Sequence, residues 1–249
     1  MAFPFDSALD QSTSSITRTL FNRALWLFDK LFEPICLLCR QAPEHQHSLC
    51  AGCERSLALN KSPCQICARP LETGTICGKC ISNANHFDHA IAPLLYREPV
   101  SHMLRALKYH NGIAFARSAA SVISEAALNR GAKKPDLICS VPMTTRALRK
   151  RGFNQSALIA LLTGYRVGIP VSNHLLRKVR QTPHQSDLSA RERKSNLKNA
   201  FACQRRMQGR HVVIVDDVLT TGATVNELAR TLKKAGASRV DVWVCARTE

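Results

Sequence analysis

Eight of the eleven cysteines form four C-x2-C pairs within residues 36–80. The intervals between successive pairs are ten, ten and nine residues long. A C-x2-C turn presents two thiolates side by side, and zinc prefers four such soft ligands in a tetrahedral arrangement. Two turns complete one site and leave no open coordination position, so the pattern predicts two structural Zn²⁺ sites. The predicted ligands are Cys36, Cys39, Cys50, Cys53, Cys64, Cys67, Cys77 and Cys80.

Two other cysteine chemistries compete with zinc. A disulfide framework requires an oxidising compartment, and residues 1–15 lack the basic segment and apolar run of a secretory signal. An iron–sulfur cluster would not need eight ligands in so regular an array. We therefore favour zinc in a cytoplasmic protein. The isolated Cys139, Cys203 and Cys245 lie in apolar or strand-like sequence and are expected to be buried as small hydrophobic residues.

The four pairs can share two zinc ions in two ways. Sequential sharing joins neighbouring pairs and makes two stacked zinc ribbons, whereas interleaved sharing makes a cross-brace. Because a ten-residue loop closes at low entropic cost, we favour sequential sharing.

A second set of residues is suited to binding a phosphate. The uninterrupted apolar run Val212–Val215 is typical of a central strand that is covered on both faces. It leads into two aspartates and a turn of small residues that opens a helix, where free backbone N–H groups and the helix dipole favour phosphate. The aspartates are expected to accept hydrogen bonds from sugar hydroxyls or to orient waters on Mg²⁺. The candidate residues are Asp216, Asp217, Thr220, Thr221, Gly222, Ala223 and Thr224.

The elements that must position this turn alternate between strands and helices from about Asp88 onward. Such alternation predicts an α/β domain with a mostly parallel sheet, whose ligands bind at the carboxyl ends of the strands. The predicted strands are 90–96, 136–141, 212–215 and 240–246. The predicted helices are 100–108, 114–129, 156–162 and 224–235.

Three regions follow from these patterns: an N-terminal segment at 1–33, a double zinc ribbon at 34–85 and the α/β domain at 88–249. Apolar residues at helical spacing predict an amphipathic helix at 16–32. This helix either docks on the body of the protein or lies on a membrane surface. No run approaches 18 uncharged apolar residues, so we expect no transmembrane span.

The net charge of +17 is distributed unevenly. Residues 1–90 contain 8 basic and 8 acidic residues, whereas residues 146–210 contain 15 basic residues against Asp187 and Glu192. A field of this sign favours phosphate-bearing ligands or polyanions, although a solvated basic face is the ordinary explanation for such runs.

The stretch Val212–Thr224 resembles the motif that binds 5-phosphoribosyl-1-diphosphate (PRPP) in phosphoribosyltransferases, and every position fits. The run Arg-Gly-Phe-Asn-Gln at 151–155 and a basic segment from Arg180 to Phe201 accompany it. Together with the cysteine pairs, these features resemble the competence protein F (ComF) family over residues 36–246. The resemblance implies a phosphoribosyltransferase-like fold, ribose contacts from the two aspartates and a 5′-phosphate cradle at 220–224.

Family members are implicated in natural transformation and in the use of external DNA. The resemblance therefore implies a protein that supports DNA uptake, with PRPP or a related nucleotide and Mg²⁺ in its pocket. Basic residues and Phe153, Tyr165 and Phe201 suit single-stranded DNA, which pairs cations with stacking aromatics. The electrically neutral zinc module is better suited to structure or to protein partners of the uptake machinery.

The alternative is an active phosphoribosyltransferase of nucleotide salvage with an unknown acceptor. Its chemistry needs positioning and charge neutralisation rather than a nucleophile. Arg149, Arg151 and Lys108 are candidates for neutralising the diphosphate, and each is equally explained as a surface residue. A sensor that keeps the loop without turnover is a further alternative. A duplex-reading transcription factor is disfavoured because no recognition helix is evident.

Overall fold

The structure is a computed structural model that describes residues 36–41, 49–107, 112–131, 134–180 and 197–249. The chain divides into two compact units, Met1–Arg55 and Ser56–Glu249. The amphipathic helix predicted at 16–32 lies outside the described residues. Among those that are described, no helix is both long and apolar enough to cross a membrane. The boundary between the units falls between the second and third cysteine pairs.

The described part of the first unit consists of two cysteine turns and a short helix. The backbone N–H of Cys36 donates to the carbonyl of Gln41 at 2.8 Å, which closes the first turn. Helix α1 (Ala51–Arg55) begins directly after Cys50.

The second unit contains the α/β domain together with the last two cysteine pairs. Its helices are α2 (Gly78–Ser82), α3 (Val100–Ala106), α4 (Gly112–Asn129), α5 (Thr145–Arg151), α6 (Gln155–Val167) and α7 (Ala223–Lys234). Its strands are β1 (His89–Ile91), β2 (Leu94–Leu95), β3 (Leu137–Ser140), β4 (Leu176–Lys178), β5 (Phe201–Cys203), β6 (His211–Leu219) and β7 (Arg239–Arg247). The predicted α/β architecture with a parallel sheet is confirmed.

The main sheet is parallel throughout, in the order β1-β7-β6-β3, and β2 also pairs with β7. Strand β7 therefore pairs with three other described strands, β1, β2 and β6. Strands β6 and β7 are the long central pair, and both are almost completely buried. The apolar runs Val212–Val215 of β6 and Val242–Ala246 of β7 are buried because helices and the cysteine module cover the sheet.

One face of the sheet shares a hydrophobic core with the zinc ribbon. Val212 and Ile214 of β6 belong to a cluster that includes Leu228 of α7 and also Cys64 and Cys67. Helices α4 and α6 pack together and contact β7, β6 and β3. The third and fourth cysteine pairs are thus built into the core of the α/β domain.

Two elements of the basic region were absent from the sequence-based expectations. Helix α5 begins after Thr144, whose hydroxyl accepts a hydrogen bond from the Ala147 N–H, and it ends at Gly152 with φ +84°. Strands β4 and β5 form a separate antiparallel pair. Phe201 of β5 is only 7% exposed, so its proposed role as a stacking partner for bases is wrong.

Candidate functional site

The eight cysteines lie in two groups of four, and within each group the sulfur atoms lie within 4.8 Å of one another. We call Cys36, Cys39, Cys50 and Cys53 the first group, and Cys64, Cys67, Cys77 and Cys80 the second group. Each group combines neighbouring pairs along the chain, as the predicted sequential sharing requires. Among the described residues no fifth His, Cys, Asp or Glu joins either group, and four convergent sulfurs are the ligand set of a closed structural zinc site.

In each group the surroundings lower the pKa of one thiol. Burial alone would raise the pKa of the Cys36 thiol, but backbone N–H groups around it, including that of Cys39, lower the pKa to about 6. At Cys64 burial again raises the pKa and backbone N–H groups lower it, with a net value of about 7. One of these groups, the Cys77 N–H, donates to the Cys64 sulfur at 3.3 Å. Zinc binds the deprotonated sulfur, so these two thiols suit the metal. Burial and neighbouring sulfurs raise the pKa of the Cys53 and Cys80 thiols, and bound zinc would keep those sulfurs deprotonated.

The phosphate loop, residues 219–224, is positioned by the end of β6 and the start of α7. Strand β6 extends beyond the predicted Val212–Val215 because its pairing with β7 continues to Leu219. Gly222 then takes φ +79°, a conformation that favours glycine, and no side chain caps the helix there. The Ala223 N–H donates to the Thr221 hydroxyl at 3.3 Å. The first turn of α7 therefore opens directly onto the loop.

The two aspartates lie within β6 rather than after it. Asp216 is half-buried and accepts a hydrogen bond from the Ser156 hydroxyl of α6 at 2.6 Å. Desolvation and the neighbouring Asp217 carboxylate raise the pKa of Asp216 to about 8. Asp217 is 7% exposed, and its Oδ1 accepts from the Val218 N–H at 2.9 Å. Two carboxyls held this closely favour a proton or a cation between or beside them.

Strand β3 brings further polar groups to the same carboxyl edge of the sheet. Ser140 pairs in register with Val215, next to Asp216, and its hydroxyl is buried without a hydrogen-bond partner in the described residues. Asn154 caps α6 through the N–H groups of Ser156 and Ala157, and its amide nitrogen donates to the Val141 carbonyl at 3.0 Å. The Arg-Gly-Phe-Asn-Gln run thus fastens α6 to the end of β3.

The three cations predicted to neutralise the diphosphate differ in exposure and in contacts, and the structure describes two of them. Arg149 is exposed on α5, which follows β3 at the same edge as the phosphate loop. Arg151 is half-buried and donates to the Gln155 side chain at 2.8 Å. Lys108 lies outside the described residues.

Two cations that the sequence did not indicate contact the phosphate loop. Lys79 of the ribbon donates to the Thr221 carbonyl at 3.1 Å. Arg247, the last residue of β7, donates to the Leu219 carbonyl at 2.6 Å. Nothing local marks either residue, because Lys79 lies between two cysteines and Arg247 ends an apolar strand. Only the registers of β7 and the ribbon bring them to the loop.

The antiparallel pair β4–β5 and its flanks form a basic surface, defined by exposed cations before and after the two strands. Its members are Arg177, Arg180, Lys198, Arg205 and Arg206. The segment 181–196 between the strands, which includes most of the basic segment from Arg180 to Phe201, lies outside the described residues. Tyr165 of α6 is 42% exposed and Phe153 is half-buried.

A cavity of about 160 Å³ lies at the opposite, amino-terminal edge of the sheet. It is bordered by His89 of β1, His211 of β6 and Trp243 of β7. None of the predicted site residues lies there, so the phosphate loop and this cavity are at separate ends of the strands.

Comparison with known proteins matches the two parts of the chain to two families. Residues 27–81 match the double zinc ribbon domain, and residues 146–248 match the phosphoribosyl transferase domain. With the parallel sheet and the two cysteine groups, these matches define a phosphoribosyltransferase-fold protein with an N-terminal double zinc ribbon.

Relatives that cover most of the chain narrow this class. The DNA utilization protein YhgH of Escherichia coli (strain K12) is 36% identical over 220 residues, 86% of this chain and 97% of the relative. Competence protein F of Haemophilus influenzae is 31% identical over 221 residues, 85% of this chain and 96% of the relative. The chain belongs to the competence protein F (ComF) family.

More distant matches involve the sheet domain. A hypoxanthine/guanine phosphoribosyltransferase of Methanosarcina barkeri is 34% identical over 91 residues, 33% of this chain and 48% of that protein. Among solved structures, glutamine PRPP amidotransferase from B. subtilis is 24% identical with a TM-score of 0.35. That alignment covers 51% of this chain and 26% of the other.

Proposed function

We propose that the phosphate loop binds PRPP or a related nucleotide, and that the protein uses this pocket in the handling of single-stranded DNA. The observation that carries the first half is the Asp216–Asp217 pair, held near the carboxyl end of β6 ahead of the phosphate loop that opens α7. In this arrangement the loop N–H groups receive the 5′-phosphate. The two aspartates accept hydrogen bonds from the ribose hydroxyls.

The ligand set also fits Mg²⁺. Asp216 has a raised pKa because its carboxyl is desolvated and faces Asp217, and a divalent cation relieves such repulsion. Asp216 and Asp217 would hold Mg²⁺ through oxygen ligands or through its waters, and the ion would neutralise diphosphate charge. Ser156 orients Asp216, and Ser140 supplies a buried hydroxyl beside it.

Support for the DNA role comes from two sources. Relatives that match nearly their full length are named a DNA utilization protein and a competence protein. The basic surface also offers exposed cations on and beside the antiparallel pair β4–β5. A row of cations can bind a phosphate backbone without recognising its base sequence. Because the zinc module is close to neutral, we assign it to structure and to protein partners of the DNA-uptake machinery, in the cytoplasm.

The second candidate is an active phosphoribosyltransferase with an unidentified acceptor. The intact loop and the partial match to a hypoxanthine/guanine phosphoribosyltransferase favour it. In that case Arg149 and Arg151 neutralise the departing diphosphate, since guanidinium groups bind phosphate oxygens in a forked geometry. Lys108 is a third candidate for this role.

The pocket is tested by thermal stabilisation with Mg²⁺ and PRPP. We expect the ligand to raise the melting temperature of the wild type and not that of the Asp216→Asn, Asp217→Asn double variant, which lacks both carboxylates. Glu125→Gln, an exposed substitution on α4, is the control and should respond as the wild type does. Equal stabilisation of the double variant would place the ligand elsewhere.

Turnover and DNA binding require separate measurements. Pyrophosphate release in the presence of PRPP, Mg²⁺ and a panel of bases identifies a transferase if any base accelerates it. A fluorescent single-stranded oligonucleotide tests the DNA role, and the absence of binding at low salt would remove that role from the basic surface.

A further inference from the structure

Arg247 is an unusually placed cation. It is 2% exposed at the carboxyl end of β7. Its Nε donates to the Cys67 carbonyl at 3.2 Å, within the second group. Its Nη1 donates to the carbonyl of Leu219 at 2.6 Å and also to that of Thr220. One buried guanidinium therefore joins a ligand-bearing turn of the zinc ribbon to the start of the phosphate loop.

Two further contacts link the same parts of the molecule. Lys79, between the ligands Cys77 and Cys80, donates to the Thr221 carbonyl at 3.1 Å. The backbone N–H of His86, which follows the ribbon, donates to the Asn226 side chain of α7 at 2.6 Å. The ribbon thus contacts the phosphate loop and the helix behind it through separate groups.

Charge explains why a guanidinium is tolerated at this position. Four thiolates around one Zn²⁺ carry a net charge of about −2, and all four sulfurs of the second group belong to buried residues. A buried anion of this kind requires a nearby cation. Arg247 supplies that charge while its planar fork reaches carbonyls on both sides, which a lysine ammonium cannot do.

We infer that Arg247 is a positioning residue that couples the second zinc site to the phosphate loop, so that zinc at Cys64, Cys67, Cys77 and Cys80 sets the affinity of the loop for a phosphate-bearing ligand. Lys79 is the second, exposed link. The coupling is reciprocal in affinity: zinc at the second group strengthens ligand binding, and a bound ligand strengthens zinc binding at that group by the same factor. We expect the second effect to be visible as slower zinc release. The first group takes no part.

The loop half of this inference is tested without any ligand. Hydrogen exchange of the peptide that contains residues 219–225 is measured before and after zinc is removed with a chelator. We expect exchange in this peptide to become at least about fivefold faster in the zinc-free protein. The peptide from β3, residues 137–140, is the internal reference, because unchanged protection there shows that the sheet is still folded.

Variants of Arg247 separate coupling from simple stabilisation. Arg247→Met removes the charge and the hydrogen bonds, so it should both loosen the loop and speed zinc release. Arg247→Lys keeps the charge beside the thiolates and loses the fork. It should retain zinc within about threefold of the wild-type release rate while the loop exchanges as fast as in Arg247→Met. If Arg247 were purely structural, Arg247→Lys would change zinc release and loop exchange together.

Milder variants cover the case in which Arg247→Met does not fold. Lys79→Met alters an exposed side chain of the ribbon, and Lys61→Met is its matched control at another exposed ribbon lysine. We expect faster loop exchange in Lys79→Met only. Arg239→Met, at the amino end of β7, controls for loss of a charge from the same strand.

The ligand half rests on the proposed function and uses PRPP with Mg²⁺ as the probe. Zinc release is followed with a chromogenic chelator, and the ligand should slow the second-group phase at least about fivefold in the wild type but not in Arg247→Lys. If the wild type does not bind PRPP, the proposed function fails while the exchange result still decides the coupling. Unchanged loop exchange on zinc removal, or wild-type loop protection in Arg247→Lys, would overturn the inference.

Discussion

The two four-cysteine groups have the same ligands and nearly the same spacing, with ten and nine residues between their pairs, but different surroundings. In the first group Cys36 is buried, Cys39 is exposed and Cys50 and Cys53 are half-buried. In the second group all four cysteines are buried, and they belong to the hydrophobic cluster beneath the sheet. The same metal chemistry therefore holds together the described part of the first unit in one case and contributes to the core of the α/β domain in the other.

The largest expected difference is in folding. A structural zinc site contributes an apparent binding free energy on the order of 10 kcal/mol, so Cys64→Ser should destabilise the core cluster and lower the main melting temperature by more than about 10 °C, while the sheet stays folded at room temperature. Cys50→Ser should disturb the first unit and leave the main transition within about 2 °C. Calorimetry and elemental analysis measure both, with about two zinc ions per chain expected in the wild type.

A difference in metal retention should follow from burial. Because Cys39 is exposed and the second group is buried, a moderate chelator should remove zinc in two phases whose rates differ by about tenfold or more. The fast phase should disappear in Cys50→Ser and the slow phase should persist. Release of both zinc ions in a single phase would mean that burial does not protect the second site.

The stability of the second unit should depend on pH through Asp216. Its folded pKa, about 8, is raised above the unfolded value of 3.8, so the folded state holds a proton that the unfolded state releases. The stability contributed at low pH is therefore lost as the pH rises from about 4 through about 8. Asp216→Asn should weaken this dependence and raise stability at pH 9 by about 1 kcal/mol. Melting curves of both proteins at pH 6 and pH 9 provide the comparison.

The smallest expected effect concerns nucleic acid. If the basic surface tracks a single strand, each cation that contacts a phosphate contributes about 0.7 to the slope of log K against log salt. Arg177→Ala with Arg206→Ala should reduce that slope by about 1.4, whereas Arg40→Ala with Arg55→Ala in the first unit should leave it unchanged. Fluorescence titrations at several salt concentrations measure both slopes, and equal losses would assign DNA contacts to the first unit as well.

The features that could be predicted from the sequence are those encoded over short distances. The cysteine turns are local patterns, and their sequential grouping and the parallel α/β fold are confirmed. The stretch Val212–Thr224 contains a strand, its polar end and a helix start in one contiguous motif. The role of that motif in PRPP binding stays a prediction, as do the domain bounds and the candidate cations.

The features that could not be predicted depend on contacts between distant segments. Arg247 and Cys67, which are hydrogen-bonded, are 180 residues apart in the sequence. Lys79 is 142 residues from its partner Thr221. Helix α5 was missed because its sequence is basic and has little apolar periodicity, so its cap at Thr144 and the glycine at its end are the main signals. Strand β5 is only three residues long, which is too short for an alternating pattern to be recognised.

The central position of β7 has a consequence for the order of events during synthesis. Strands β1 and β2 lie near residue 90, and their strand partner within the described main sheet is β7, at residues 239–247. The ribosome needs roughly ten seconds or more to add the intervening residues, at about 5–20 residues per second. During that time the cysteine turns are already outside the exit tunnel. We therefore expect zinc to reach both groups before the sheet closes, and Arg247 to join the ribbon after it has bound its metal.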